Sequence, residues 1–304
     1  MVDKDMKKYT VYQIDAFTKS KFHGNPAGVI VNADGLSEKQ MQLIARELNN
    51  SETAFLFSPD DSTCDGIIRY FTPMTEVPTC GHATIAAMYA KASEENLDSC
   101  RLKFKTKIGV LPFEIIKTDN DYRVIMTQGA IKIDDPLNDL DRAGLLSALG
   151  LIQNDLDPRC PVQIASTGHS KVMIGIKNRT KLNSLTPNFV ELSQLSTKIN
   201  CNGYFVFTFD AEEGVFTHGR MFAPVIGIPE DPVTGNANGP LGAYLVNHKI
   251  VNTENDIFRF IGKQGETMGR PGTVEVKVTI KEQKPELVQV IGEAVIIFKT
   301  EIEI

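Results

Sequence analysis

Short apolar stretches punctuated by Gly, Pro, Asp and Asn dominate the chain. Val11–Phe17 alternates as a strand, and Phe22-His23-Gly24-Asn25-Pro26-Ala27-Gly28-Val29-Ile30-Val31 reads as a turn feeding a second one. Thr53–Ser58, Ile67–Phe71, Leu102–Thr106, Val110–Ile116 and Tyr122–Thr127 follow as further strands. Ser37-Glu38-Lys39-Gln40 forms a capping box, and Met41, Ile44, Ala45 and Leu48 give the helix behind it a single apolar face. One segment differs. From Gly81-His82 onward, Ala83, Ile85, Ala86, Ala87, Met88, Tyr89 and Ala90 leave no polar stripe. A helix of that kind is buried all round, so other elements must wrap it. Beyond it the pattern predicts a helix over Leu140–Leu149, a strand over Val172–Ile176 and a helix carrying Phe189, Leu192, Leu195 and Ile199. The last strands are Thr273–Ile280 and Leu287–Lys299.

The stretch that feeds the apolar helix occurs twice. Arg69-Tyr70-Phe71-Thr72-Pro73, with Pro78 beyond, returns half a chain length later as Arg220-Met221-Phe222-Ala223-Pro224, with Pro229 beyond. Gly235-Asn236-Ala237 then takes the place of Gly81-His82-Ala83, and another helix of small residues follows. Upstream, Asn50-Ser51-Glu52 faces Asn200-Cys201-Asn202; downstream, Phe104 and Gly109 face Phe260 and Gly265. Four blocks in one order indicate a duplicated unit, and the period far exceeds the ~20 to 50 residues of stacked repeats. The expected halves are residues 1–130, completed by the last strand at about 288–304, and residues 150–287. The acidic, proline-bearing stretch 131–149 is the expected connection. The economical fold is α+β: a curled sheet rolled around a helix, twice over, with the two helix starts meeting at a central cleft.

Bulk properties narrow the function. The 304 residues suit about two domains, and 42% apolar with 23% charged content is that of an ordinary globule. A net charge of −6 argues against a nucleic-acid partner. Met1–Tyr9 is charged and lacks the apolar core of a secretory signal, and no stretch approaches a membrane span. The five cysteines are scattered and never in Cys-x-x-Cys spacing, as expected of reduced thiols in a cytoplasm.

Candidate chemistry centres on the repeated blocks. Glu52 stands at a strand mouth among small and apolar neighbours, and desolvation there raises a carboxyl pKa toward the range useful for moving protons. Its repeat counterpart is Asn202. Cys80 sits before a helix start, a setting that lowers thiol pKa; the second half offers Asp231 or Thr234 there, so a thiol pair is not expected. His82 could shuttle protons, and Asp231 is expected beside the same cleft. The helix starts at Gly81 and Gly235 present unpaired backbone N–H groups to an anion such as a carboxylate. Nucleotide-binding motifs and metal-spaced His/Asp/Glu sets are missing from the sequence, so the expectation is no cofactor and no metal.

Asp15-Ala16-Phe17-Thr18 with Gly24-Asn25-Pro26-Ala27, Ser51-Glu52-Thr53-Ala54-Phe55, Tyr70-Phe71-Thr72-Pro73 through Cys80-Gly81-His82-Ala83-Thr84, and Glu230-Asp231-Pro232-Val233-Thr234-Gly235 resemble the PhzF-like phenazine-biosynthesis isomerase family. The resemblance implies the diaminopimelate epimerase-like fold: two pseudo-symmetric β-barrel-like halves, each wrapped around a central helix, with the site between them. It implies cofactor-independent isomerisation similar to that of trans-2,3-dihydro-3-hydroxyanthranilate, in which a glutamate matching Glu52 takes a proton from one carbon and returns it to another. The family's His and Asp match His82 and Asp231, while its serine falls on Asn236. Asn25, Cys80, Gly81, Ala83, Gly235, Asn236 and Ala237 are the positions implied to bind a small carboxylate-bearing substrate. A homodimer is a further implication. Two alternatives stay open: an amino-acid or hydroxy-acid epimerase on the same fold, and a non-catalytic binder of small acids or of a protein.

Overall fold

The computed structural model describes residues 6–253 and 256–304; of the charged stretch Met1–Tyr9, residues 1–5 lie outside the described residues. The chain divides into two compact units, one running up to Met126 and including Gly292–Ile304, the other Thr127–Ile291. The first unit holds β1 (Lys8–Ala16), β2 (Asn25–Ile30), α1 (Glu38–Leu48), β3 (Glu52–Phe57), β4 (Gly66–Phe71), β5 (Glu76–Val77), α2 (Gly81–Glu95), β6 (Cys100–Thr106), β7 (Gly109–Lys117) and β8 (Tyr122–Thr127). The second holds β9 (Lys132–Pro136), α3 (Asp139–Leu149), β10 (Gln163–Ser166), β11 (Lys171–Ile176), α4 (Arg179–Asn183), α5 (Phe189–Ile199), β12 (Tyr204–Thr208), β13 (Thr217–Ala223), β14 (Ile228–Asp231), α6 (Gly235–Asn247), β15 (Ile257–Gln264), β16 (Gly272–Lys281) and β17 (Lys284–Gly292). The last strand, β18 (Ala294–Glu303), belongs to the first unit. Residues 131–149 thus form β9 and α3 of the second unit.

Each unit has the same ladder. In the first, neighbours run β18–β1–β2–β3–β4–β6–β7–β8, with β2 parallel to β3, β4 parallel to β6 and the other pairs antiparallel. In the second they run β9–β10–β11–β12–β13–β15–β16–β17, with β11 parallel to β12 and β13 parallel to β15. A parallel pair needs a crossover, and each crossover here contains a helix. α1 links β2 to β3, and α4 with α5 links β11 to β12; α2 links the β4 side to β6, and α6 links the β13 side to β15.

The central helices are buried as their composition requires. In α2, Gly81 to Met88, Ala90 and Ala92 are buried, and the helix packs against β1, β2, β3, β7 and β18. In α6, Ala237 to Val246 are buried, and the helix packs against β10, β11, β15 and β16. Small residues let the sheet approach. A Cβ on Gly242 would meet Val278 at 2.8 Å and Val276 at 2.9 Å, both on the inward-facing side of β16. The outer helix α1 carries the expected capping box at Ser37 and buries Met41, Ile44 and Ala45.

The sequence pattern treated Leu287–Lys299 as one strand, whereas the chain breaks between Gly292 and Ala294 into β17 and β18. A Cβ at Gly292 would meet the Phe17 ring at 2.8 Å and Ile85 at 2.9 Å, so the glycine lets those side chains close in. Phe17 N–H donates to the Glu293 carbonyl at 2.7 Å, which fixes the break.

The repeated Arg-x-Phe-x-Pro motif is a clamp. Arg69 forks Glu76 through Nε (2.7 Å) and Nη2 (2.6 Å), and its guanidinium lies 5.2 Å from the centre of the Phe71 ring. Arg220 forks Glu230 at 2.8 Å on both arms and lies 5.0 Å from the centre of the Phe222 ring. The spacing places Arg and Phe on one face of a strand, so cation and ring stack. Each clamp ties β4 to β5, or β13 to β14, just before the chain turns into α2 or α6. Arg220 is the more buried, and its Nη1 also donates to the carbonyls of Leu182 (3.1 Å) and Leu185 (2.9 Å). Removing it leaves the half-buried Glu230 carboxylate without its cation and the Leu182 and Leu185 carbonyls without this donor. Arg220→Ala is expected to cost about 3 kcal/mol or more in denaturant unfolding. Arg220→Lys should restore less than half of that, because an ammonium cannot fill the fork.

Candidate active site

Three elements of the first unit bring chemistry together. β3 begins at Glu52, opposite Ala27 of the parallel strand β2. α2 begins at Gly81 with Cys80 as its N-cap, and the Cys80 side chain makes no capping bond. Thr84 Oγ1 donates to the Cys80 carbonyl at 2.6 Å and lies 2.6 Å from the Tyr70 hydroxyl, which fixes the helix start from β4.

His82 is the hub. Its Nε2 lies 3.4 Å from Glu52 Oε2 and 3.2 Å from Ser51 Oγ, while its Nδ1 lies 3.5 Å from Cys80 Sγ. Glu52 and His82 side chains are only 13% and 8% exposed. Burial pushes the Glu52 carboxyl above its ordinary value, with hydrogen bonds to Ser51 and Cys80 acting in the opposite direction. The arrangement holds a carboxyl whose proton affinity burial has raised beside an imidazole and a thiol, the equipment of acid/base catalysis. Although the sequence holds no metal-spaced motif, the fold gathers donor atoms of Glu52, Cys80 and His82 within 4.8 Å of one another.

The other positions implied by the motifs are accounted for within their own units. Asn25 heads β2 and is buried; Ala83 and Ala237 are buried in the first turns of α2 and α6. In the second unit, Asp231 closes β14, and Thr234, the N-cap of α6, donates its hydroxyl to Asp231 Oδ2. Gln264 Nε2 donates to the Asp231 carbonyl at 2.7 Å and to Thr234 Oγ1 at 3.0 Å. Asp231 and Thr234, alternatives in the sequence alignment of the halves, are therefore partners. Asn236 is held through its Oδ1, which accepts from Gln128 Nε2 at 3.1 Å; the same amide donates to the Gly235 carbonyl at 3.2 Å. Asn202 is half-buried, and its backbone N–H donates to Ser170 Oγ at 3.2 Å.

Sequence reasoning missed Ser51 and Lys171. Lys171 heads the fully buried strand β11 and is 3% exposed; its Nζ donates to the Ser170 carbonyl at 3.1 Å. Burial pushes its ammonium down to about 8, with Cys201 and Asp231 pulling the other way. The available signal was a lysine directly abutting the apolar run Val172–Ile176. His218 also escaped notice, but it is clamped between Glu266 (2.6 Å) and Glu212 (2.7 Å), with Arg179 and Lys263 on the same carboxylates. That network is fully occupied in holding itself together.

The duplicated ladder around buried helices is the diaminopimelate epimerase-like fold. Comparison with known proteins narrows this. The model of the phenazine biosynthesis-like protein family, PhzC-PhzF, matches residues 14–300. An uncharacterized isomerase of Clostridium acetobutylicum is 56% identical over 298 residues, covering 98% of this chain and 99% of that one. The trans-2,3-dihydro-3-hydroxyanthranilate isomerase of Pseudomonas chlororaphis is 33% identical over 287 residues, covering 93% and 95%. A solved structure of a phenazine biosynthesis protein of the PhzF family from Bacillus anthracis superposes with a TM-score of 0.88 at 32% identity, covering 98% of this chain and 100% of that one. The chain belongs to the phenazine biosynthesis-like (PhzF) family, and it is an isomerase.

The raised Glu52 value makes stability depend on pH in a definite sense. The folded protein holds this proton more firmly than the unfolded chain, so the contribution is fully present below the ordinary value of 4.5 and is lost as pH rises through the raised one. Glu52→Gln is neutral at every pH. Its melting temperature should match wild type at pH 4 and exceed it at pH 8; the reverse trend would mean that the ionised carboxylate is net stabilised by His82.

Proposed function

We propose that this isomerase moves a proton between carbons of a small carboxylic acid, with Glu52 as the group that removes and redelivers it. The observation that carries the reading is the buried Glu52 carboxyl held against His82, with its pKa raised by desolvation. A general base works best when its pKa lies near the operating pH, and raising a glutamate moves it toward that condition. A carbonyl or imine beside the reacting carbon makes its hydrogen acidic enough for a carboxylate to remove. The N-terminal end of α2, with the partial positive charge of its dipole, suits the substrate's carboxylate. His82 orients Glu52 or exchanges the second proton, and Asp231 is assigned an orienting or proton-exchanging part on the strength of its motif.

The substrate class is drawn from the Pseudomonas chlororaphis relative, whose name specifies trans-2,3-dihydro-3-hydroxyanthranilate. Asn236, at the family's serine position, makes a different ring acid the better expectation, because an amide cannot relay a proton as a hydroxyl can. Among the described residues, no helix is long and apolar enough to cross a membrane. Five cysteines outside any disulfide suit the reducing cytoplasm, and a homodimer is the assembly we assign.

The test is an NMR screen in heavy water of small unsaturated and cyclic acids, including trans-2,3-dihydro-3-hydroxyanthranilate. Wild type should shift a double bond and, where the proton exchanges with solvent, incorporate deuterium. Glu52→Gln should lower kcat by at least about 1,000-fold, within the range of removing an essential acid/base group. Substantial remaining turnover would refute the role of Glu52, and inversion at the exchanged carbon would identify an epimerase instead.

A further inference from the structure

Zinc prefers four donors, and catalytic-type sites supply three from protein, leaving the fourth open. With Zn–S near 2.3 Å and Zn–N and Zn–O near 2.0–2.2 Å, a tetrahedral ion sets its donors roughly 3.4–3.6 Å apart. His82 Nδ1 and Cys80 Sγ, 3.5 Å apart, already fall at that spacing, while Glu52 Oε2 lies 3.4 Å from the other ring nitrogen, Nε2. Glu52 also hydrogen-bonds with Cys80. Donor atoms of all three residues lie within 4.8 Å of one another, and a turn of the Glu52 carboxylate toward Nδ1 is the adjustment that the site requires.

We infer that Glu52, Cys80 and His82 form a binding site for Zn²⁺, and that the ion switches the enzyme off by taking its proton carrier as a ligand. In the assigned geometry Cys80 Sγ, His82 Nδ1 and one Glu52 oxygen ligate, and a water or a substrate oxygen fills the fourth position. Ser51 Oγ, 3.2 Å from Nε2, orients the ring from behind as outer partners of metal-bound histidines do. The Cys80 backbone is fixed by Thr84 and, through it, Tyr70. One thiolate, one imidazole and one carboxylate select zinc over magnesium or calcium, which require oxygen donors. Binding replaces the thiol proton with the metal: the S–H bond breaks, the Zn–S bond forms and the proton leaves to solvent. Affinity therefore rises with pH.

The site stands independently of the catalytic assignment; only the inhibitory effect rests on the proposed role of Glu52. The experiment titrates chelator-treated full-length protein with ZnCl₂ by calorimetry, and with Co²⁺ by absorption spectroscopy. One ion per chain should bind, and the cobalt form should show a thiolate-to-cobalt charge-transfer band in the near ultraviolet. Cys80→Ser should abolish the band and weaken zinc binding by at least about 100-fold, beyond the usual loss from an outer partner. His82→Gln provides a second variant, and near-ultraviolet circular dichroism reports whether each one is folded. Cys64→Ser, in the separate Asp60–Asp61–Cys64 group, should leave binding and band unchanged. No saturable binding, wild-type binding by folded Cys80→Ser, or loss of the band in Cys64→Ser would overturn the site. Stoichiometric binding through Cys80 without inhibition of proton exchange would support the site and overturn Glu52 as the proton carrier.

Discussion

A helix without a polar face cannot meet water on any side, and α2 and α6 impose that condition on everything around them. Each is also the crossover between parallel strands, a connection that adjacent antiparallel hairpins do not need. The two demands have a common solution: the strands before and after the helix lie in one sheet, and that sheet curls until the helix is covered. The helix start is then carried to the sheet with its first amides lacking a side-chain cap, because neither Cys80 nor Thr234 supplies one.

Duplication kept the scaffold and varied the chemistry. Both units retain the strand order, the two parallel pairs and the Arg–Glu fork that steers the chain into its buried helix. At the chemical positions they differ. Glu52, Cys80 and His82 stand in the first unit where the sequence alignment of the halves places Asn202, Asp231 or Thr234, and Asn236 in the second. The first unit thus holds a carboxyl, a thiol and an imidazole in mutual contact, while the second holds Asp231 in a web with Thr234 and Gln264, with a buried lysine whose value is depressed. The forks persist because they serve folding; the other positions were free to diverge in chemistry.

Much of this was legible before any coordinates. The apolar run after Gly81 announced a wrapped helix, and its first residue is where α2 begins. Gly235 begins α6 in the same way. The Ser37 box is present with both of its bonds. Glu52 was marked by its apolar neighbours, and desolvation is the leading influence on its carboxyl. What stayed hidden depended on distant partners. β9 is acidic and ends in proline, so nothing local says strand; it pairs with β10 all the same. The break at Glu293 follows from the approach of Phe17 and Ile85, residues remote in sequence. Ser51 looked like a neighbour of the important residue until the fold placed its hydroxyl against His82.

The sequence by itself determined the repeat, the buried helices and which residue types stand at their starts, because these follow from hydrophobic periodicity and from motifs read along the chain. Tertiary structure alone decided which side chains touch. Glu52 lies 30 residues before His82 along the chain, and only the packing of α2 against β3 puts carboxyl, imidazole and thiol within 4.8 Å. It also decided that Lys171 would be a buried ammonium rather than a surface one, since burial depends on what the rest of the chain brings to cover it.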